Sequence, residues 1–329
     1  VLHWRILQTI IALTLLLGLA WLDEYGPRPG LVMMPLALLG VAMCTGEMLG
    51  LMARAASNRH ERASTGAIAT GRSTQPIALV TYLGVFLVVL ASTAPATFAY
   101  PDGGLLGLTG WMSAGIALSL LLALGYEMLT YKGSAQPDGV ITARLSRTMF
   151  IVVYLGVSTG YIMALRLLSG PHDTEPYRWG LLVLLTTIAI VKSSDSGAYI
   201  AGHALGRHKM TPLLSPGKTW EGFAGGMTAA VGAALLFLGP IADRMGCQVA
   251  HSGVEWTLRV ALFSLLVALA GVVGDLAISL LKRDSGAKDS STWMPGFGGF
   301  LDLLDSILLS APVAYLLWIF GLVGPAAPP

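Results

Sequence analysis

Gly274 to Ser306, GDLAISLLKRDSGAKDSSTWMPGFGGFLDLLDS, sets five aspartates and three basic residues beside two segments otherwise apolar enough to cross a bilayer. An ionisable side chain at membrane depth costs several kcal/mol unless it is paired, hydrated or bound to an ion. Asp275, Asp302 and Asp305 therefore read as a functional site, acidic and metal-capable, with cations beside it.

Composition explains why those charges stand out. Of the 329 residues 54% are hydrophobic and only 12% charged, and the apolar residues run in blocks of about 20 rather than in amphipathic stripes. The expected fold is an all-α polytopic membrane protein. Spans fall at roughly 4–22, 31–53, 76–99, 104–126, 147–168, 179–200, 222–241, 260–281 and 301–323, about nine helices by the ~20-residue criterion. A net charge of +2 says little about partners, and nothing points to nucleic acid. Cys44 in a span and Cys247 in a loop make no disulfide framework.

The placement of Lys and Arg carries the topology. Alternate loops collect Arg5; Arg54, Arg59, Arg62 and Arg72; Lys132, Arg144 and Arg147; Lys192, Arg207, Lys209 and Lys218; and Lys282, Arg283 and Lys288. The intervening loops and flanks hold Arg28, Arg166, Arg178, Arg244 and Arg259. This asymmetry puts the N-terminus in the cytoplasm and the C-terminus outside. The first apolar run is read as a span rather than a signal peptide, since no small-x-small cleavage site separates it from Trp21–Tyr25.

Two regions follow. Residues 1–130 supply scaffold spans joined by a polar connector, Ala55–Gln75, with Glu47 and Glu127 read as interface residues reaching for water. Residues 131–324 form the catalytic region, with cytoplasmic nucleotide-binding loops. No internal repeat or low-complexity tract interrupts either.

Asp195–Gly222 reads DSGAYIAGHALGRHKMTPLLSPGKTWEG. Within it Ser215-Pro-Gly-Lys-Thr219 offers a tight turn, exposed backbone N–H groups, two hydroxyls and an ammonium just before a helix expected from Trp220. Helix N-termini present unpaired donors and a positive dipole end, which suit an anion. The spacing is not that of a Walker A loop, and an ordinary capped turn explains the segment equally well.

On the eighth helix Ser279 and Lys282 follow Asp275 at i+4 and i+7 and share its face, with Arg283 adjacent. On the ninth, Asp302 and Asp305 are i, i+3, just after the Pro295-Gly-Phe-Gly-Gly299 turn. Oxygen ligands of this kind suit Mg²⁺, which uses one or two carboxylates plus substrate phosphates. No Cys/His cluster exists for zinc. Taken singly, Asp275 paired with Lys282 or Arg283 reads equally as a packing ion pair, and Asp302 as a helix-dipole partner. Taken jointly, acids and bases at one membrane face fit a nucleoside triphosphate with its metal.

These residues resemble the CDP-diacylglycerol synthases, also called phosphatidate cytidylyltransferases. The family signature runs Ser-x-hydrophobic-Lys-Arg, four residues, Lys-Asp, then Pro-Gly-His-Gly-Gly-hydrophobic-x-Asp-Arg-x-Asp. Ser279-Leu-Leu-Lys-Arg283, preceded by Gly274-Asp275, is similar to its opening, Lys288-Asp289 follows at the right distance, and Pro295 to Ser306 resembles its close. Asp195-x-x-Ala-Tyr199, Gly202, Gly206 and Ser215-Pro-x-Lys-Thr-x-Glu-Gly222 resemble the upstream block. The likeness covers about residues 145–320. Phe297 replaces the usual His, Leu303 the usual Arg, and Ile278 a common Glu.

The resemblance implies transfer of the cytidylyl group of CTP to phosphatidate in the membrane, giving CDP-diacylglycerol and pyrophosphate. It implies Asp275, Asp302 and Asp305 as Mg²⁺ ligands, Asp289 as a further candidate, and Lys218, Lys282, Arg283 and Lys288 on phosphates. Ser215, Thr219 and Asp195 would shape the nucleotide pocket, with Ser279 also at the substrate. It leaves open a second cation and a homodimer; the expected location is a bacterial inner membrane, with the site facing the cytoplasm. Competing readings are another CTP-dependent lipid transferase or lipid kinase, a cation-coupled transporter, and an inactive scaffold suggested by Phe297 and Leu303. Against transport, the charges gather near one face and no inverted repeat is present.

Overall fold

The computed structural model describes residues 18–20, 22–23, 30–63, 74–97, 107–133, 138–168, 176–247, 249, 253–291 and 298–323. Most of the span expected at 4–22, and Phe297, fall outside them. Eight helices and one small hairpin follow: α1 (Met34–Ala63), α2 (Ala78–Thr97), α3 (Gly107–Thr130), α4 (Val140–Arg166), α5 (Pro176–Leu205), the strands β1 (Lys209–Thr211) and β2 (Ser215–Thr219), α6 (Trp220–Arg244), α7 (Gly253–Asp284) and α8 (Phe300–Ile319). Among the described residues seven of the helices are long and apolar enough to cross a membrane, and α2 is a shorter apolar helix over Ala78–Ala94. This is an all-α polytopic membrane protein, and the expected spans two to nine each correspond to one helix.

The differences from the expected boundaries have local causes. At 30 and 32 residues, α5 and α7 are about 45 and 48 Å long at 1.5 Å per residue, against ~30 Å of hydrocarbon, so each exceeds its span or crosses at a tilt. Lys192, expected in a loop, is therefore helical. The connector expected over Ala55–Gln75 is helical as far as Ala63, and 64–73 lie outside the described residues. Ser215–Thr219, expected as a tight turn, is instead the second strand of an antiparallel hairpin. Its helix does begin at Trp220, where Thr219 is an extended N-cap whose hydroxyl accepts from Gly222 N at 3.1 Å. Near the far end of α6, Gly239 leaves helical geometry beside Pro240, which lacks the donor a continuous helix needs.

The described chain divides into two compact units. One holds residues up to Met163 together with Leu280–Leu303; the other holds Ala164–Ser279 and the residues from Leu304 onward. In the first, Gly115 brings α3 against the α2 backbone, where an added Cβ would lie 3.1 Å from Val88 Cα. Its α3–α4 contact buries Glu127 in an ion pair with Arg144, so Glu127 does not reach for water as expected. In the second unit α5 and α6 meet through small residues: a Cβ on Gly225 would stand 2.3 Å from that of Ala201, and one on Gly222 2.7 Å from the Ala198 carbonyl. Such residues let helix backbones approach where apolar burial alone gives little drive. Trp318 of α8 packs edge-on against Trp179 and Phe263, with ring centroids 5.6 Å apart in both cases.

Candidate active site

Charged residues of the sequence motifs pair within each unit. In the second unit, β2 presents Lys218 and α7 presents Asp275, whose Nζ and Oδ2 are 2.8 Å apart. The hairpin explains the position of the lysine. Lys209 pairs in register with Thr219, and Glu221 in the first turn of α6 accepts from the amides of Arg207 and His208 and meets His208 Nδ1 at 2.6 Å. The segment leading into the hairpin is thereby tied to the helix that follows it. On α7, Ser279 Oγ lies one turn beyond Asp275 and 3.4 Å from its Oδ1, as the i+4 spacing requires. The Lys218 and Asp275 side chains remain 23% and 31% exposed, so the pair is only partly enclosed by protein.

Asp305 of α8 belongs to the same cluster and is buried. Its Oδ1 accepts from Ser306 N at 2.6 Å and Ser306 Oγ at 3.1 Å, and the charges of Asp275, Lys192 and Asp195 act on it. Gly274 is what lets the two helices approach here, because a Cβ would sit 2.4 Å from the Asp305 carbonyl oxygen. The Gly-Asp dipeptide thus has a physical reading: the glycine admits the neighbouring backbone, and the aspartate next to it gains a second acid as neighbour. Asp195 pairs on its own helix with Lys192 at 3.6 Å. Ser215 is half-buried at the start of β2, while Pro216 and Gly217 are exposed.

In the first unit Lys282 Nζ meets Asp302 Oδ1 at 2.6 Å, with side chains only 12% and 10% exposed. The other oxygen, Oδ2, accepts from Ser290 N at 2.9 Å, Ser290 Oγ at 2.8 Å and Gly299 N at 3.0 Å. Asp302 is the third residue of α8, so its reach back to Gly299 N is half of a capping box. Gly298 has φ +86°, and a Cβ there would stand 2.6 Å from Asp302 Oδ2. The glycine pair is therefore needed for the carboxylate to lie against the backbone. Glu47 of α1 completes the arrangement, accepting from Phe300 N and Leu301 N at 2.9 Å each.

Several expectations change at this point. Asp275, for which Lys282 or Arg283 was the alternative partner, pairs with Lys218 in its own unit, and Lys282 with Asp302 in the other. Glu47, expected to reach for water, caps a helix. Arg283, Lys288 and Asp289 are exposed, and Ile278 is fully buried, which suits an apolar residue. Among the described residues no three His, Cys, Asp or Glu side chains converge closely enough to hold a metal by themselves.

The sequence model of the cytidylyltransferase family matches residues 3–320. The chain belongs to this family. It is similar to the phosphatidate cytidylyltransferase of Haemophilus influenzae, 32% identical over 254 residues that cover 74% of this chain and 80% of that one. It is also similar to the proteins of the same name from Brucella suis, 39% over 163 residues, and Bacillus subtilis, 35% over 165. Those two matches cover 50% of this chain and 53% and 55% of the relatives, so this chain spans about half their length. Within the family setting, each cluster pairs a lysine with an aspartate. Glu47, Ser290 and Lys192 are the additions that sequence reasoning missed, and Glu221 stood there only as part of the upstream block, without a role. Glu221 had a signal, since an acid in a first turn favours helix-end donors; Glu47, more than 240 residues from its partners, had none.

Proposed function

We propose that this chain transfers the cytidylyl group of CTP to phosphatidate, forming CDP-diacylglycerol and releasing pyrophosphate. The observation that carries this reading is the pairing of a lysine with an aspartate in each unit, Lys218 with Asp275 and Lys282 with Asp302, within a cytidylyltransferase chain. A phosphatidate oxygen attacks the α-phosphorus of CTP in line, the bond to the β-phosphate oxygen breaks, and pyrophosphate leaves with that electron pair. Phosphatidate is already anionic, so the task is to bring anions together rather than to remove a proton.

The lysines meet that need. At rest each neutralises an acid; in the second unit a triphosphate displaces Lys218 from Asp275, while in the first Lys282 stays on Asp302 and exposed Arg283 and Lys288 add positive charge. Ser215 and Ser279 supply hydroxyls to the nucleotide, while Thr219 fixes the strand–helix junction and Asp195, with Lys192, bounds the pocket. The oxygen-only donors fit Mg²⁺, which takes one or two carboxylates and completes its shell with phosphates and water. Asp275 and Asp305 would hold it; in the first unit Asp302 keeps Lys282 in place, and Asp289 is a further exposed acid there. When bound, Mg²⁺ supplies positive charge against the triphosphate and the departing pyrophosphate.

In this reading residues 1–130 are scaffold, 131–324 carry the chemistry, nine spans cross a bacterial inner membrane with the N-terminus in the cytoplasm and the C-terminus outside, and the site faces the cytoplasm. Two experiments test it. Pyrophosphate release by purified protein is expected with phosphatidate and not with diacylglycerol or a polyprenol; the reverse preference would make it a different lipid transferase or a lipid kinase. Single cysteines at 215 and at the exposed position 288, in a background lacking Cys44 and Cys247, should resist an impermeant reagent on intact cells and react after permeabilisation. Strong external labelling at 288 would overturn the orientation.

A further inference from the structure

The capping of α8 by Glu47 assigns a role to a residue far from the motif. The first N–H groups of a helix have no partner inside it and take one from an N-cap side chain. Gly299, at the N-cap, has no side chain to offer. A side chain could not be added there, because a Cβ would stand 2.0 Å from Ser290 Oγ and 2.2 Å from Glu47 Oε2. The place is filled by Glu47, with Oε1 on Phe300 N and Oε2 on Leu301 N, and a carboxylate there also complements the helix dipole.

The same carboxylate reaches the charged pair through one hydroxyl. Ser290 is buried, and its Oγ lies 2.7 Å from Glu47 Oε2 and 2.8 Å from Asp302 Oδ2. Two acids of one unit thus share a single hydroxyl proton, and the amides of Ser290, Gly299, Phe300 and Leu301 are divided between them: Asp302 takes the first two, Glu47 the last two. Neither carboxylate can shift without uncovering buried donors. Asp302 in turn fixes Lys282.

We propose that Glu47 is a positioning residue for cytidylyl transfer: from α1 it sets the first turn of α8 and, through Ser290, the Asp302–Lys282 pair. This rests on the cytidylyl-transfer reading, and the test separates the two. Glu47→Gln keeps the volume but replaces one acceptor oxygen with a donor facing donors, and Glu47→Asp keeps the charge but withdraws it by one methylene. For Glu47→Gln, kcat/KM for CTP should fall about tenfold or more, as small misplacements of catalytic groups do, with KM for phosphatidate unchanged. Glu47→Asp should recover part of that loss. Amide hydrogen exchange in a peptide covering 298–303 should accelerate at least tenfold in Glu47→Gln, while a peptide from α3 exchanges at the parental rate. Unaltered exchange at 298–303, or a loss of activity that only tracks the loss of folded protein, would overturn the proposal. A parent protein without turnover would defeat the cytidylyl-transfer reading and leave the exchange result to decide the role of Glu47 by itself.

Discussion

The pairs Lys282–Asp302 and Lys218–Asp275 have the same chemistry and opposite settings. The first is closed: about a tenth of each side chain is exposed, and the carboxylate accepts four hydrogen bonds, one from the lysine and three from Ser290 and Gly299. The second is open: 23% and 31% exposed, with Ser279 as a long additional contact. Taking charge out of water is costly, and a buried pair survives only when its remaining lone pairs are satisfied. The closed pair meets that condition by being woven into a helix cap. The open pair keeps its hydration, so either partner can leave at little cost. One pair is a fixture that sets geometry, and the other is a contact that substrate can displace.

The largest effect expected from breaking this contrast is at Asp302. Asp302→Asn places an amide NH₂ either against the Lys282 ammonium or against the Ser290 and Gly299 donors, so turnover should fall about a hundredfold. Because the pair is buried, stability should drop as well, by about 3 kcal/mol as for other buried pairs that lose one member; steady-state kinetics and thermal unfolding in detergent would measure both. Next comes Asp305→Asn, which should lower turnover more than about tenfold and shift the Mg²⁺ dependence upward, since Asn keeps the shape and loses the charge a hard cation prefers. Near-parental activity across a Mg²⁺ titration would remove Asp305 from the metal. Smallest is Lys218→Met, which should raise KM for CTP roughly tenfold, the worth of one charge-assisted hydrogen bond, while costing less than about 1 kcal/mol of stability. If Lys218→Met unfolds the protein and Asp302→Asn does not, the contrast between the pairs is reversed.

Much of this was legible in the sequence, for reasons that differ by element. Blocks of about 20 apolar residues announce spans because lipid leaves helices as the simplest way to satisfy a backbone, and spans two to nine each became a helix. The i+4 relation of Asp275 and Ser279 followed from helix geometry alone. The start of α6 at Trp220 was signalled by Thr219, a good cap. What stayed hidden depended on chain segments far apart. Lys218 reaches Asp275 from a hairpin, which a five-residue stretch containing Pro216 and Gly217 does not suggest. Glu47 lay in a span whose partners are more than 240 residues away, and the simplest reading of a lone acid near a span end is solvent. Gly298 and Gly299 read only as part of a turn, whereas the structure gives them a narrower task, admitting two carboxylates to within hydrogen-bond distance of backbone.

The most direct measurement follows the phosphorus of CTP through one turnover. With purified protein, phosphatidate and Mg²⁺, label at the α-phosphate of CTP should enter the organic-extractable lipid, label at the γ-phosphate should appear only in water-soluble pyrophosphate, and both should vanish when phosphatidate is withheld. Transfer of the γ-label to lipid, or lipid labelling that does not need phosphatidate, would contradict cytidylyl transfer as the activity of this chain.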